Sequence, residues 1–312
     1  MTFNDLNRLG KSRTPFFFYT DFKGEHLFCS PLDEMDRYDI EFSFDADQRT
    51  PSDEQRLPCT PIPYSSYLEK FKQVIEKIKS GDTYLLNLTQ PTPIRTDASL
   101  KEIYKKAHAR FKLRVGERFV CFSPERFVKI VGNRIYTFPM KGTIDATLPN
   151  AEEKILNDSK EIAEHVMVVD LLRNDLGIVA DDIRVDSFRY VEKIRAGEKE
   201  LLQVSSKISG HVGREWESRI GDILKQLLPA GSISGTPKKS TVKIIEEVEG
   251  YARGYFTGIF GLYDGERLDT AIMIRFIEKT EEGHLYKSGG GITLDSEPRR
   301  EYQEMIDKIY IP

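Results

Sequence analysis

Cysteine is scarce in this chain, with three in 312 residues: Cys29, Cys59 and Cys121. They cannot all pair, and none has the close spacing that marks zinc or redox sites, so they read as incidental thiols of a reducing compartment. Long apolar runs are missing too. Residues 1–10 carry no apolar core of signal-peptide length, and no stretch approaches the roughly 20 apolar residues of a membrane span, which points to a cytoplasmic protein with no membrane partner. Nor does one sign of charge dominate. Basic residues number 46 and acidic residues 50, a net charge of −4 without a long single-sign block, so the electrostatic footprint of a nucleic-acid binder is absent. What remains, 39% hydrophobic and 31% charged, is the composition of a globular protein with one large core or two ordinary domains.

Proline and glycine divide the chain. Pro51, Pro58, Pro61 and Pro63 disfavour helix or central strand over residues 51–63, which read as a connector between a short amino-terminal segment, 1–60, and a main domain, 61–312. The first segment has two strand-like runs, Phe16-Phe17-Phe18-Tyr19 and His26-Leu27-Phe28, about a turn at Gly24, and at its size is expected to pack on the main body. Beyond the connector, apolar spacing predicts a helix over 64–79, a strand over 83–89 and a helix over 100–111. Strands follow at 119–122, 127–131 and 134–138, the last two joined by a hairpin at Gly132-Asn133, and residues 152–176 are mainly helical. Strands at 256–263, 268–277 and 284–287 precede a closing helix over 298–309. Helices alternate with clusters of strands, not single strands, so the pattern is α+β rather than a doubly wound nucleotide fold.

Several groups of residues could carry chemistry. Glu161 and Glu164 lie three apart and project from one side of a helix, with His165 next to Glu164. Glu301 and Glu304 form a second such pair, with Lys308 one turn further. Four glutamates on two helices suit a hard divalent cation such as magnesium that also holds a carboxylate-bearing ligand and water, although each pair by spacing alone is an ordinary solvated face. In the segment 229–239, Thr236 can cap a helix with Pro237 at its first position, running to Gly250. Lys238 and Lys239 then oppose the helix dipole, at a cost of a few tenths to about 1 kcal/mol unless an anionic neighbour is near. Gly289-Gly290-Gly291 reads either as a flexible bend or as a place where backbone N–H groups converge on an anion, and it lacks the phosphate-loop and dinucleotide patterns. Lys141, in Phe138-Pro139-Met140-Lys141-Gly142-Thr143, is by itself a turn lysine.

Taken together and in order, these segments resemble the chorismate-utilising enzymes, which include anthranilate synthase component I, aminodeoxychorismate synthase component I, and the isochorismate and salicylate synthases. The resemblance runs through Ser80-Gly81-Asp82-Thr83-Tyr84, Ser123-Pro124-Glu125, Lys141-Gly142-Thr143, residues 161–177 with Arg173-Asn174-Asp175-Leu176, and residues 229–238, 253–261 and 289–308. It implies an α+β sandwich of two large facing antiparallel sheets with helices outside. It also implies Mg2+ held by Glu164 and Glu304, with Glu161 and Glu301 direct or through water, gripping the ring carboxylate of chorismate. Arg275 and the backbone of Gly290, Gly291 and Ile292 would hold the enolpyruvyl carboxylate, Lys308 would add positive charge near the metal-bound one, and Thr143 would contact substrate. Glu125 matches the general acid that protonates the departing C4 hydroxyl. Lys141 stands where aminodeoxychorismate synthases have lysine and anthranilate synthases typically alanine. The implied chemistry is attack of the lysine amine on ring C2, then entry of ammonia at C4 with expulsion of the lysine, and it requires a neutral amine whose pKa is lowered by desolvation or positive charge.

Three positions depart from the family pattern. Leu85 replaces the water-activating lysine of isochorismate synthases, Gln203 stands where many members have histidine, and Phe256 replaces a substrate-contacting tyrosine. The tryptophan-binding Leu-Leu-Glu-Ser segment of longer relatives is missing, so feedback by tryptophan is not expected. No cysteine has a glutaminase nucleophile context, so ammonia is expected from a separate glutamine amidotransferase subunit. The sequence thus points to the aminodeoxychorismate synthase branch, with anthranilate synthase chemistry and a non-catalytic chorismate-binding relative as the alternatives.

Overall fold

Every residue of strand β1 (Phe16–Thr20) is buried, because the strand is covered on both faces. Phe16 and Phe18 enter one apolar core with residues from several helices, while Phe17 and Tyr19, on the opposite face, enter another built from both large sheets. Burying each such ring contributes about 1.5–3 kcal/mol, so this short run is a strong anchor for the amino-terminal segment. The computed structural model describes residues 1–45, 55–196 and 199–312, which leaves the first four residues of the expected connector outside the described residues.

In chain order the remaining elements begin with α1 (Phe3–Lys11), β2 (Leu27–Pro31), β3 (Ile40–Ser43), β4 (Gln55–Arg56), α2 (Tyr64–Lys79), β5 (Leu85–Ile94) and α3 (Leu100–Lys106). Then come β6 (Phe111–Val115), β7 (Phe119–Ser123), β8 (Arg126–Val131), β9 (Arg134–Thr137), β10 (Met140–Asp145), α4 (Ala151–Asn157), α5 (Ser159–Leu176), β11 (Asp181–Ala196) and β12 (Lys199–His211). The last third holds α6 (Ile220–Leu227), α7 (Gly231–Ser234), β13 (Gly235–Thr236), α8 (Lys238–Glu249), β14 (Ile259–Tyr263), β15 (Arg267–Ile272), β16 (Phe276–Thr280), β17 (Gly283–Ile292), α9 (Pro298–Asp307) and β18 (Tyr310–Ile311).

Among the described residues, besides a small third sheet in which β18 pairs with β4, the strands form two large antiparallel sheets, as the family resemblance implies. One runs β10-β12-β9-β8-β15-β14-β1-β2 with β11 beside β12, and the other runs β13-β5-β17-β16-β7-β6-β3. The face they share is aromatic: Phe17, Tyr19 and Phe260 from the first sheet meet Phe111, Phe119 and Phe276 from the second. The outer face of the first sheet packs on α1, α5 and α6, while in the second sheet β5 and β13 pack on α8, and Val120 and Phe122 of β7 pack on α3. Residues 16–43 therefore supply strands to both sheets, with β1 between β14 and β2 and β3 on β6.

Four local expectations shift. The strand expected to end at 89 continues to Ile94 through Pro91 and Pro93, because the Pro93 carbonyl accepts from Thr60 on the edge away from β17 and the missing N–H groups lie on that edge. The helix expected over 100–111 stops at Lys106, where Lys112 Nζ donates to the carbonyls of Tyr104 and Ala107 at 3.1 and 3.0 Å and the chain turns into β6. The single strand expected over 268–277 is two, β15 and β16, separated by a turn in which Arg275 takes a left-handed φ of +51°. The helix at 238 is preceded by Pro237, not Thr236, at the cap position.

Candidate active site

A cavity of about 610 Å³ gathers side chains from β5, β10, β12, β17, α5, α7 and α9. Lys141 reaches it through an irregularity in β10. The pairing with β12 slips between Met140 and Thr143, and Gly142 takes a φ of +84° beside Glu161, where an added Cβ would stand 2.9 Å from the carboxylate oxygen. Lys141 Nζ donates to Glu164 Oε2 at 2.7 Å. Burial works against its charge, but Glu164, with Glu304 and Glu161 further off, outweighs burial and holds the lysine pKa above its ordinary value. The charge environment is thus opposite to the lowered pKa that a nucleophilic lysine was expected to need.

Both glutamate pairs face the same cavity, Glu161 and Glu164 from the first turns of α5, Glu301 and Glu304 from α9. Lys308 closes the second pair within its own chain segment: its Nζ lies 2.6 Å from Glu304 Oε1 and donates to the Gly289 carbonyl at 2.7 Å. Burial pushes Lys308 below its ordinary pKa, with Arg275 and Lys141 adding to the effect against Glu304. For Glu304 burial works the other way, yet Lys308 outweighs it and the carboxyl stays below its usual range.

Glu125, between β7 and β8, is held at both ends. Its backbone N–H donates to Ser123 Oγ at 3.1 Å, and its carboxylate Oε1 accepts from Ser232 Oγ at 2.6 Å. Burial pushes the Glu125 carboxyl up, and Ser232, Arg275, Lys308 and Lys141 only partly oppose it. A carboxyl whose pKa is pushed up in this way is suited to donate a proton to a leaving oxygen. Arg275 lines the same cavity, with its guanidinium carbon 5.3 Å from the centre of the Tyr310 ring.

The triple glycine is a strand, not a bend. Gly289, Gly290 and Gly291 pair with Thr89, Leu88 and Asn87 of β5, while β16 ends its pairing with β17 at Lys287, so among the described residues no strand pairs with the opposite edge of the glycine stretch. A Cβ at Gly289 would fall 2.2 Å from the Leu88 carbonyl oxygen, and one at Gly290 would project to 3.4 and 3.5 Å from Glu301 and Glu304. Gly290 and Gly291 line the cavity as expected, whereas Ile292 does not, because it is fully buried in the core. Thr143, Leu85, Gln203 and Phe256 also line the cavity.

Some neighbours lacked a role in the sequence reading. Ser232 was inside a motif yet unassigned, and Asn87 and Lys287 carried no spacing signal at all. The anionic neighbour sought by Lys238 is Asp175, at 2.9 Å. His165 turns away into the core, where Nε2 meets Ser206 Oγ at 2.7 Å and burial brings its pKa down to about 4, so it is a neutral structural imidazole.

The four carboxylates suit a hard divalent cation by chemistry, since all donors are oxygens, but among the described residues no three of them bring their oxygens within 4.8 Å of one another; the group whose ligand atoms do is Asp21, Glu25 and His26, away from the cavity. Such a cation would compete with Lys141 and Lys308 for Glu164 and Glu304. Its chemistry would be to bind a substrate carboxylate electrostatically.

Residues 14–312 match the family described as chorismate binding enzyme. The chain belongs to that family. It is 46% identical over 310 residues to an uncharacterized PabA-like protein of Haemophilus influenzae, covering 98% of this chain and 94% of the relative. It is 35% identical over 259 residues to aminodeoxychorismate synthase component 1 of Klebsiella aerogenes, covering 78% of this chain and 56% of that protein. This member of the family therefore spans little more than half of that larger relative. The crystal structure of anthranilate synthase component I from Streptococcus pneumoniae superposes with a TM-score of 0.66 at 26% identity, covering 86% of this chain and 60% of the other. Among the described residues no helix is long and apolar enough to cross a membrane.

Proposed function

We propose that this chain catalyses the amination of chorismate to 4-amino-4-deoxychorismate, as aminodeoxychorismate synthase component I. The observation that carries the reading is that Lys141 and Glu125 line one cavity with two carboxylate pairs and the cations Arg275 and Lys308. A small dicarboxylate can be oriented there by Arg275, Lys308 and the glycine edge of β17 before chemistry begins. Glu164 and Glu304, helped by Glu161 and Glu301, would hold Mg2+ for one of the substrate carboxylates.

The raised pKa of Glu125 suits it to give its proton to the C4 hydroxyl, which leaves as water. The Lys141 amine forms a bond to ring C2 as both ring double bonds shift by one position, through C1, C6 and C5, and the C4–O bond breaks. Ammonia then bonds to C4, both double bonds shift back, and the C2–N bond to Lys141 breaks. Lys141 must lose its proton to solvent before attack, because Glu164, at 2.7 Å, stabilises the charged amine and in this reading is engaged by the metal. Drawing Glu164 away from Lys141 removes the interaction that keeps the amine charged. Leu85 places an apolar group where an isochorismate synthase would activate water, which favours nitrogen as the entering atom. A glutamine amidotransferase subunit would supply the ammonia, and the compartment would be the cytoplasm.

The test is direct. Purified protein is incubated with chorismate, magnesium and ammonium, and the products are followed by mass spectrometry and by anthranilate fluorescence. The expected product retains the enolpyruvyl group and has exchanged a hydroxyl for an amino group. Anthranilate as the main product would overturn the reading in favour of amination at C2 with loss of pyruvate.

A further inference from the structure

Helix α5 carries Glu161 and Glu164 near its start and Asp175 at its far end, and the far end is also connected to the cavity. Asp175 is buried, its Oδ1 is 2.9 Å from Lys238 Nζ, and its Oδ2 accepts the Gly231 N–H at 3.2 Å. A Cβ at residue 231 would stand 2.5 Å from that same carboxylate oxygen, so the approach of backbone to carboxylate requires glycine. The next residue is Ser232, the donor to Glu125 Oε1 at 2.6 Å. Lys238 Nζ also donates to the Leu227 carbonyl at 2.8 Å, and Arg253 donates to the Ile233 carbonyl at 2.9 Å, so the turn is gripped from both sides.

We propose that Asp175 is a positioning residue for the general acid: paired with Lys238, it fixes the α7 turn through Gly231 and thereby sets the hydrogen bond from Ser232 to Glu125. The inference rests on the assignment of Glu125 as the acid. Its physical basis is that a buried carboxylate accepting the amide of residue 231 determines where the adjacent hydroxyl lies, and a displacement of about 1 Å at a reacting group costs on the order of 10²-fold in rate. Asp175 touches no reacting atom.

The experiment is a double-mutant cycle with ammonium as nitrogen source. Asp175→Asn and Ser232→Ala are each expected to lower kcat about tenfold or more, with the KM for chorismate within about twofold, and the double variant is expected to be no worse than the more severe single. Gly231→Ala, which drives a methyl group into the same contact from the other partner, is expected to reproduce the kcat loss. Losses that multiply in the double variant, or that appear in KM instead of kcat, would overturn the proposal. If Asp175→Asn does not fold by circular dichroism, the Gly231→Ala and Ser232→Ala cycle decides on the same criteria. Glu125→Gln separates the two layers: a variant that keeps full turnover removes Glu125 as the acid, whereas an impaired variant together with additive Asp175 and Ser232 losses removes only the positioning role.

Discussion

Two lysine-glutamate pairs share the cavity, and they differ in what holds them. Lys308 and Glu304 lie one helical turn apart at 2.6 Å, while Lys141 and Glu164 join a strand to a helix at 2.7 Å. Their pKa values move in opposite directions, Lys308 down and Lys141 up. Burial opposes the charge on both. The balance differs because Lys308 also faces Arg275 and Lys141, whereas Lys141 faces Glu164, Glu304 and Glu161. Lys308 has a second anchor in the Gly289 carbonyl and is a fixed donor beside the glycine edge. Lys141 donates to one carboxylate, Glu164, with Glu304 and Glu161 further off, an arrangement that lets its reactivity depend on what else engages Glu164.

The comparison assigns chemistry to Lys141 and binding to Lys308, and it breaks if their variants behave alike. Lys141→Ala is expected to lower the amination rate by at least about 10³-fold, in kcat more than in KM, when ammonium is saturating. Unchanged product and rate in that variant would remove Lys141 from the mechanism. Glu125→Gln keeps the size of the side chain and removes its transferable proton, so kcat should fall about 10²- to 10⁴-fold. Lys308→Met should instead raise the KM for chorismate about ten- to hundredfold, the equivalent of one charge-assisted hydrogen bond, with a smaller change in kcat. A kcat collapse in Lys308→Met without a KM change would show that the fixed lysine acts on the reaction itself.

How much of this was legible from the chain depends on how local the physics is. Glu304 and Lys308 are neighbours by helical spacing, so their pairing could be read directly, and so could the strand run at Phe16 to Tyr19. Lys141 beside Glu164 required the fold, since the bulge at Gly142 is set by pairing with β12. The triple glycine misled local reading because it continues a strand and does not bend: Gly289 packs closely on Leu88 and Thr89, and Gly290 leaves room beside Glu301 and Glu304. Prolines at 91 and 93 would end a central strand, and they are permitted because β13 pairs with β5 only at Leu85 and Leu86 and leaves the proline edge outside its ladder. The clash between Lys238 and its helix dipole was a true signal of an anion, but no spacing rule could name Asp175, which lies 63 positions earlier. The long hairpin of β11 and β12 escaped because β11 is largely exposed and β12 is buried in continuous runs at 204–206 and 208–210, so neither strand alternates cleanly.

The smallest expected effect sharpens the role of the acid. Ser232 donates to the Glu125 carboxylate, an interaction that favours the ionised form and partly offsets the upward push of burial. Glu125 must carry a proton to act, so kcat falls as pH rises through its pKa in the substrate complex. Removing the donor in Ser232→Ala takes away a downward influence, and the alkaline limb of the kcat profile should move to higher pH even as the maximum rate falls. The measurement is a pH profile of kcat for the wild type and the variant at saturating chorismate and ammonium. The pKa of ammonium is the same in both series, so a difference between the profiles belongs to the protein. A limb that stays in place, or moves to lower pH, would mean that the hydrogen bond at 2.6 Å orients Glu125 without tuning it, or that another group sets the limb.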